Sequence, residues 1–155
     1  MKNPKTSLPD PITGSIAKRR ERVKKLGTTA NTGSALALAT AARDPHPGVR
    51  CEAVQALGRL GDSCALPPLL PALKDTEPVV RAAALAALGK IRDPDAAPAI
   101  IPLLKDPERE VRIGAATVLG KLGSRQAIEP LKQLRTDPFS DVREAAEAAL
   151  VRLTK

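Results

Sequence analysis

Tryptophan and tyrosine are absent from this 155-residue chain, and Phe139 is its only aromatic residue. A core must therefore be built from Ala, Leu, Val and Ile, and the stacking shelves used to hold single-stranded nucleic acids are missing. Histidine is as scarce. His46 stands alone between Pro45 and Pro47, which leaves no Ser-His-Asp arrangement to assemble and no cluster of metal ligands, so no catalytic residue, metal or cofactor is expected. Cys51 and Cys64 have no CxxC partner and read as packed or idle thiols. With no secretory signal and no apolar run long enough to span a bilayer, the expectation is a cytoplasmic protein with no membrane role.

What the chain does have is a pattern repeated every 31 residues. Asp44, Asp75, Asp106 and Asp137 fall in register, as do Arg50, Arg81, Arg112 and Arg143, with no insertion between them. Such a period marks a solenoid, in which each unit buries its apolar face against its neighbours. Within 75–105, Val80, Ala84, Ala87, Leu88 and Ile91 step by three or four and predict a helix over 78–91, with Pro78 in its first turn. Gly61 and Gly123 stand where the equivalent helices close in the left-handed conformation, whereas Arg92 holds that place here and predicts a different ending. Asp62, Asp93 and Ser124 follow as N-cap residues. Ala96, Ile100, Leu103 and Leu104 then mark a second helix that closes at Lys105. Pro71 and Pro102 lie inside the second helices of their units and should bend them.

The run Asp-Pro-x-x-x-Val-Arg, then Ala, Leu-Gly-Lys/Arg-Leu-Gly-Asp, then Ala-x-Pro-x-Leu and Leu-Lys-Asp resembles the short HEAT-like repeat named after phycobilisome lyases, over about residues 45–155. The resemblance implies an all-α fold, a right-handed α-solenoid of helical hairpins with about nine helices, second helices lining the concave face. For function it implies a family that spans bilin lyase subunits, phycobilisome-associated chaperone or degradation factors, and scaffolds without chemistry.

The expected organisation is a mobile tail over 1–14, a worn basic capping unit over 15–43, full units over 44–74, 75–105 and 106–136, and a capping half-unit over 137–155, with 15–155 forming one domain. The first 27 residues hold eight bases and two acids. Six of the bases, Lys18, Arg19, Arg20, Arg22, Lys24 and Lys25, crowd one predicted helix. At the other end, Glu147 replaces the apolar Val54, Leu85 and Ala116 of earlier units on a helix over 140–153, and Glu144 likewise replaces Cys51, Ala82 and Ile113. A column that turns charged faces no following unit, so the array is expected to stop there and to be a monomer alone.

Three groups of residues compete for a role. The Asp44/Asp75/Asp106/Asp137 and Arg50/Arg81/Arg112/Arg143 columns read as a structural ladder, because an Arg fork can satisfy loop carbonyls or an Asp of the adjoining unit. Pro67, Leu70, Pro71 and Lys74, then Pro98, Ile101, Pro102 and Lys105, then Lys132, form an apolar stripe rimmed by lysines that suits a helix or extended peptide of another protein. Leu70 and Ile101 could equally serve only to pack between units. The basic helix is either a soluble cap or an attractor of an acidic partner or nucleic acid. A protein-binding scaffold leads, with the lyase-associated role and nucleic-acid binding as alternatives.

Overall fold

Apolar residues at three- and four-residue steps become helices throughout the computed structural model, which describes residues 13–29, 32–61 and 65–155. Most of the tail, Asp62 and Cys64 therefore lie outside the described residues. Nine α-helices and no strand occur among those described: α1 (Ile16–Leu26), α2 (Thr32–Ala41), α3 (Pro47–Leu60), α4 (Leu66–Leu69), α5 (Pro78–Ile91), α6 (Ala97–Ile100), α7 (Arg109–Leu122), α8 (Ile128–Gln133) and α9 (Ser140–Leu153). The helices expected over 78–91 and 140–153 are α5 and α9, residue for residue.

The odd-numbered helices pack in order, each against the next, and each second element packs onto the first helix of the following unit. The result is an all-α solenoid whose core runs unbroken along the array, through Leu57, Leu88 and Leu119, all fully buried. With no large side chains to fill space, the first helices approach almost to backbone contact. A Cβ added at Gly58 would lie 2.6 Å from the Ala87 Cβ, and one at Gly120 would lie 2.9 Å from the Ala149 Cα. Between α5 and α7 the pair is Gly89 and Val118, and the corresponding distance opens to 3.1 Å.

Proline shapes the second elements. In 44–74 and 75–105 the α-helix lasts four residues and then tightens to 3-10 geometry, over Pro71–Lys74 and Ile101–Lys105. Pro71 and Pro102 have no N–H to continue the ladder and crowd the preceding turn, so these elements are broken, not merely bent. In 106–136 the same column holds Gln133, and α8 extends through it before a 3-10 turn, Leu134–Thr136.

Two local expectations need correction. Arg92 does not end α5 differently: it takes the left-handed conformation, φ 58°, as Gly61 and Gly123 do at φ 67° and 70°. The Arg92 N–H donates to the Leu88 carbonyl and closes the helix, at a conformational cost a glycine would not incur. Of the N-cap residues, the Asp93 carboxylate accepts from the Asp95 N–H at 3.0 Å, while the Ser124 side chain caps nothing.

Candidate functional site

The Asp and Arg columns meet across units. Arg50 donates to Asp75, Arg81 to Asp106 and Arg112 to Asp137, each through Nε at 2.7–2.8 Å and Nη2 at 2.8–3.2 Å. The remaining Nη1 of each arginine donates back to its own loop, as Arg81 does to the Asp75 and Thr76 carbonyls at 2.9 and 3.2 Å. Each aspartate in turn accepts from the backbone N–H two residues on, so one side chain closes its own turn and receives the preceding unit. Burial works against the charge on Asp75 and Asp137, but the Arg forks and backbone N–H groups outweigh it and hold both carboxyls below the ordinary carboxylate value. Arg143 has only its own loop, the Asp137 and Pro138 carbonyls, and no following aspartate among the described residues.

The basic helix is largely consumed by internal pairing. Arg19 lies 31 residues before Arg50 and occupies the ladder column: its Nε and Nη2 donate to Asp44 at 2.8 and 3.0 Å, and its Nη1 to the Gly14 carbonyl. Arg20 donates twice to Glu52 Oε1, with Lys24 3.9 Å from the same oxygen; Lys25 pairs with Glu21; Arg22 donates to Thr13. The Lys18 side chain has no hydrogen-bond or ion-pair partner among the described residues and lies exposed at the start of α1. A phosphate backbone would thus find few free cations here, because most would have to leave carboxylates first.

The second-element face is different. Pro67, Pro71, Pro98 and Pro102 are exposed, as are Lys74, Lys105 and Lys132. Leu70 and Ile101 are half-buried and pack against the core, so each offers only its outer side. Between the second elements of 75–105 and 106–136 lies a groove of about 220 Å3, lined by Ile101, Pro102, Leu104, Lys105, Pro130, Gln133 and Leu134. Leu104 and Leu134 are buried and form its floor, so the groove is apolar with Lys105 at its rim. Lys132 pairs with Glu129 at 2.7 Å, which neutralises the face toward the C-terminal end.

Two residues of this face went unnoticed in the sequence. Leu36, 72% exposed, is the most exposed large apolar residue described, and it stands 31 residues before Pro67. Arg43 stands 31 residues before Lys74 and is also exposed. Counting back one more period would have found both.

Cys51 is half-buried, and burial, followed by the neighbouring Glu52 carboxylate, pushes its thiol pKa up, away from reactivity. No group of three or more His, Cys, Asp or Glu side chains placed to hold a metal occurs among the described residues. None of their helices is long and apolar enough to cross a membrane. Glu147 is exposed and paired with Arg135, beside Glu144 on the outer side of α9.

A family model described as HEAT repeats matches residues 13–78 and 66–151. No curated protein matches the sequence. Among solved structures, the chain is similar to one in the complex of CpcE and CpcF of phycocyanin lyase from Nostoc sp. PCC7120, at 27% identity and a TM-score of 0.81 over 94% of this chain. It spans 62% of that longer chain. A designed armadillo repeat protein in complex with peptide (KR)4 shares the fold at 21% identity, with a TM-score of 0.69 over 92% of this chain and 78% of that one. An engineered protein does so at 21% identity, with a TM-score of 0.71 over 93% and 76%.

Proposed function

Because the chain belongs to the HEAT repeat family, we propose that it is a non-catalytic scaffold that receives a segment of another protein along its second-element face. The observation that carries this reading is the apolar groove at Ile101 and Pro102, open to solvent, on an array whose other second elements expose Leu36, Pro67 and Pro98. A surface of that kind gains from burial in a complex, and the fold offers it as a row, one element per unit. The ladder contributes stiffness instead: its forks are occupied by the chain's own carboxylates, so it stays out of the binding surface. The designed armadillo protein in complex with a peptide supports the view that an array of this fold can accept a segment of another chain.

Replacing exposed residues tests the face without opening the core. Leu36→Glu with Pro102→Glu should abolish capture of partner proteins from native extract while the far-UV circular dichroism and melting temperature stay those of the parent. A folded double variant that still captures everything the parent does refutes the assignment. A second reading, a subunit of a lyase acting on phycocyanin, is favoured by the likeness to the CpcE and CpcF structure. It requires binding to phycocyanin subunits, and failure to co-elute with them would remove it. Nucleic-acid binding by the basic helix would require Lys18→Glu with Lys24→Glu, which leaves the ladder intact, to weaken retention of a DNA duplex.

A further inference from the structure

Arg43, Lys74 and Lys105 form one column of the array, 31 residues apart, each at the close of its second element. All three are exposed, and none of their side chains has a hydrogen-bond or ion-pair partner among the described residues. Some exposed cations of the array are paired, Arg109 with Asp141, Lys132 with Glu129 and Arg135 with Glu147; Arg59, Lys90, Lys121 and Arg152 form a second exposed, unpaired column among the described residues, but on the first helices α3, α5, α7 and α9. The fourth place in the Arg43 column is Thr136, so the row holds three cations and then stops.

The turns beneath them share one geometry. Arg43 N–H donates to the Thr40 carbonyl at 3.0 Å, and Pro71–Lys74 and Ile101–Lys105 are 3-10 segments. In such turns residues three apart eclipse, so Lys74 stands over Pro71 and Lys105 over Pro102. Pro71 and Pro102 carry no N–H, which leaves this strip of surface apolar and short of backbone donors. A partner strand seeking backbone hydrogen bonds would find few there. A chain that needs none would lose nothing.

Resting on the partner-binding reading above, we propose that the occupant is an acidic polyproline-type segment of a partner protein, with a carboxylate at every third residue and an apolar residue between successive carboxylates. The register follows from the repeat. Packed helices lie about 8–10 Å apart, so the cations recur at about that step. A polyproline II chain rises about 9 Å per three-residue turn and presents the same side at each turn. A β-strand returns a side every second residue, about 7 Å, and falls out of step within three units. The carboxylates meet Arg43, Lys74 and Lys105, while the apolar residues pack on the outer sides of the half-buried Leu70 and Ile101.

The test uses the full chain and two labelled synthetic peptides of identical composition, read by fluorescence anisotropy at low and moderate salt. One carries Glu at every third position of a Pro/Ala frame; its isomer carries the same residues with Glu at every second position. The first should bind roughly tenfold more tightly at low salt, three exposed ion pairs being the source of the difference, and the advantage should shrink as salt rises. Arg43→Gln with Lys74→Gln and Lys105→Gln should erase the difference and leave the circular dichroism unchanged. Equal affinity of the two isomers, or a preference that survives the triple variant, overturns the register. Equally tight binding of an oligothymidylate assigns the row to phosphates and overturns it too. The Leu36→Glu/Pro102→Glu capture experiment separates the cases: if that variant loses its partner while the isomers bind alike, the register fails and the face stands; if neither effect appears, both fail.

Discussion

Arg81→Ala removes the central rung of the ladder, and the structure sets what that should cost. The guanidinium makes two charge-assisted bonds to Asp106 at 2.8 Å and two to loop carbonyls, with side-chain exposures of 11% for Arg81 and 8% for Asp106. Deleting one partner of a nearly buried pair leaves an uncompensated carboxylate, for which about 3–5 kcal/mol is typical. Asp106 retains the Glu108 N–H at 2.9 Å and a margin of solvent, which places the expected loss near the lower end, about 3 kcal/mol. Arg143→Ala is the internal control, since Arg143 is exposed and holds only its own loop; it should cost under about 1 kcal/mol. Arg81→Lys should recover less than half, because one ammonium cannot fork to the carboxylate and reach the Asp75 carbonyl together. Urea unfolding followed by far-UV circular dichroism is the appropriate assay, as no tryptophan or tyrosine is present to report. If Arg81→Ala and Arg143→Ala proved equally mild, the ladder would be ornament and the stiffness of the array would have to come from helix packing alone.

Helix packing makes its own prediction. Gly58→Ala should destabilise by about 1–3 kcal/mol through overpacking, because its Cβ would meet Ala87 at 2.6 Å; Gly89→Ala, facing a Val118 methyl at 3.1 Å, should be milder and offset by up to about 1 kcal/mol of helix propensity. Thermal melts that rank the two in the opposite order would contradict the close approach of α3 and α5. Arg92→Gly should stabilise by about 1 kcal/mol, since it relieves a left-handed arginine at φ 58°; a lower melting temperature would mean that the Arg92 side chain contributes more than its backbone costs. In acid, the unfolded carboxylates titrate near about pH 3.9, and Asp75 and Asp137 sit lower in the folded chain. The unfolded state therefore binds more protons there, so their stabilisation is present above about pH 4 and is lost as pH falls through the folded values. Asp75→Asn with Asp137→Asn should flatten that acid limb of the stability profile, and an unchanged slope would exclude these two rungs as its source.

The helices and their order were legible in the sequence because a 31-residue period and a three-to-four-residue apolar step are properties of the chain itself: α5 and α9 were placed to the residue. The column arithmetic that aligned Asp44 with Asp137 also contained Arg19, Leu36 and Arg43, but the crowd of bases around Arg19 masked its register. What the sequence left open concerns residues that meet only after folding. Whether a cation is free or spent depends on which carboxylate the packing brings to it: Arg20 reaches Glu52 across 32 residues with no periodic signal, while the side chains of Lys74 and Lys105 reach no carboxylate among the described residues. Arg92 follows a turn that its own propensity disfavours, because the fixed spacing of the units leaves the chain no other path. The breaks at Pro71 and Pro102 belong to both levels. Proline's missing N–H was visible from the start, but only the stacked array turns the broken second elements into a groove between neighbouring units.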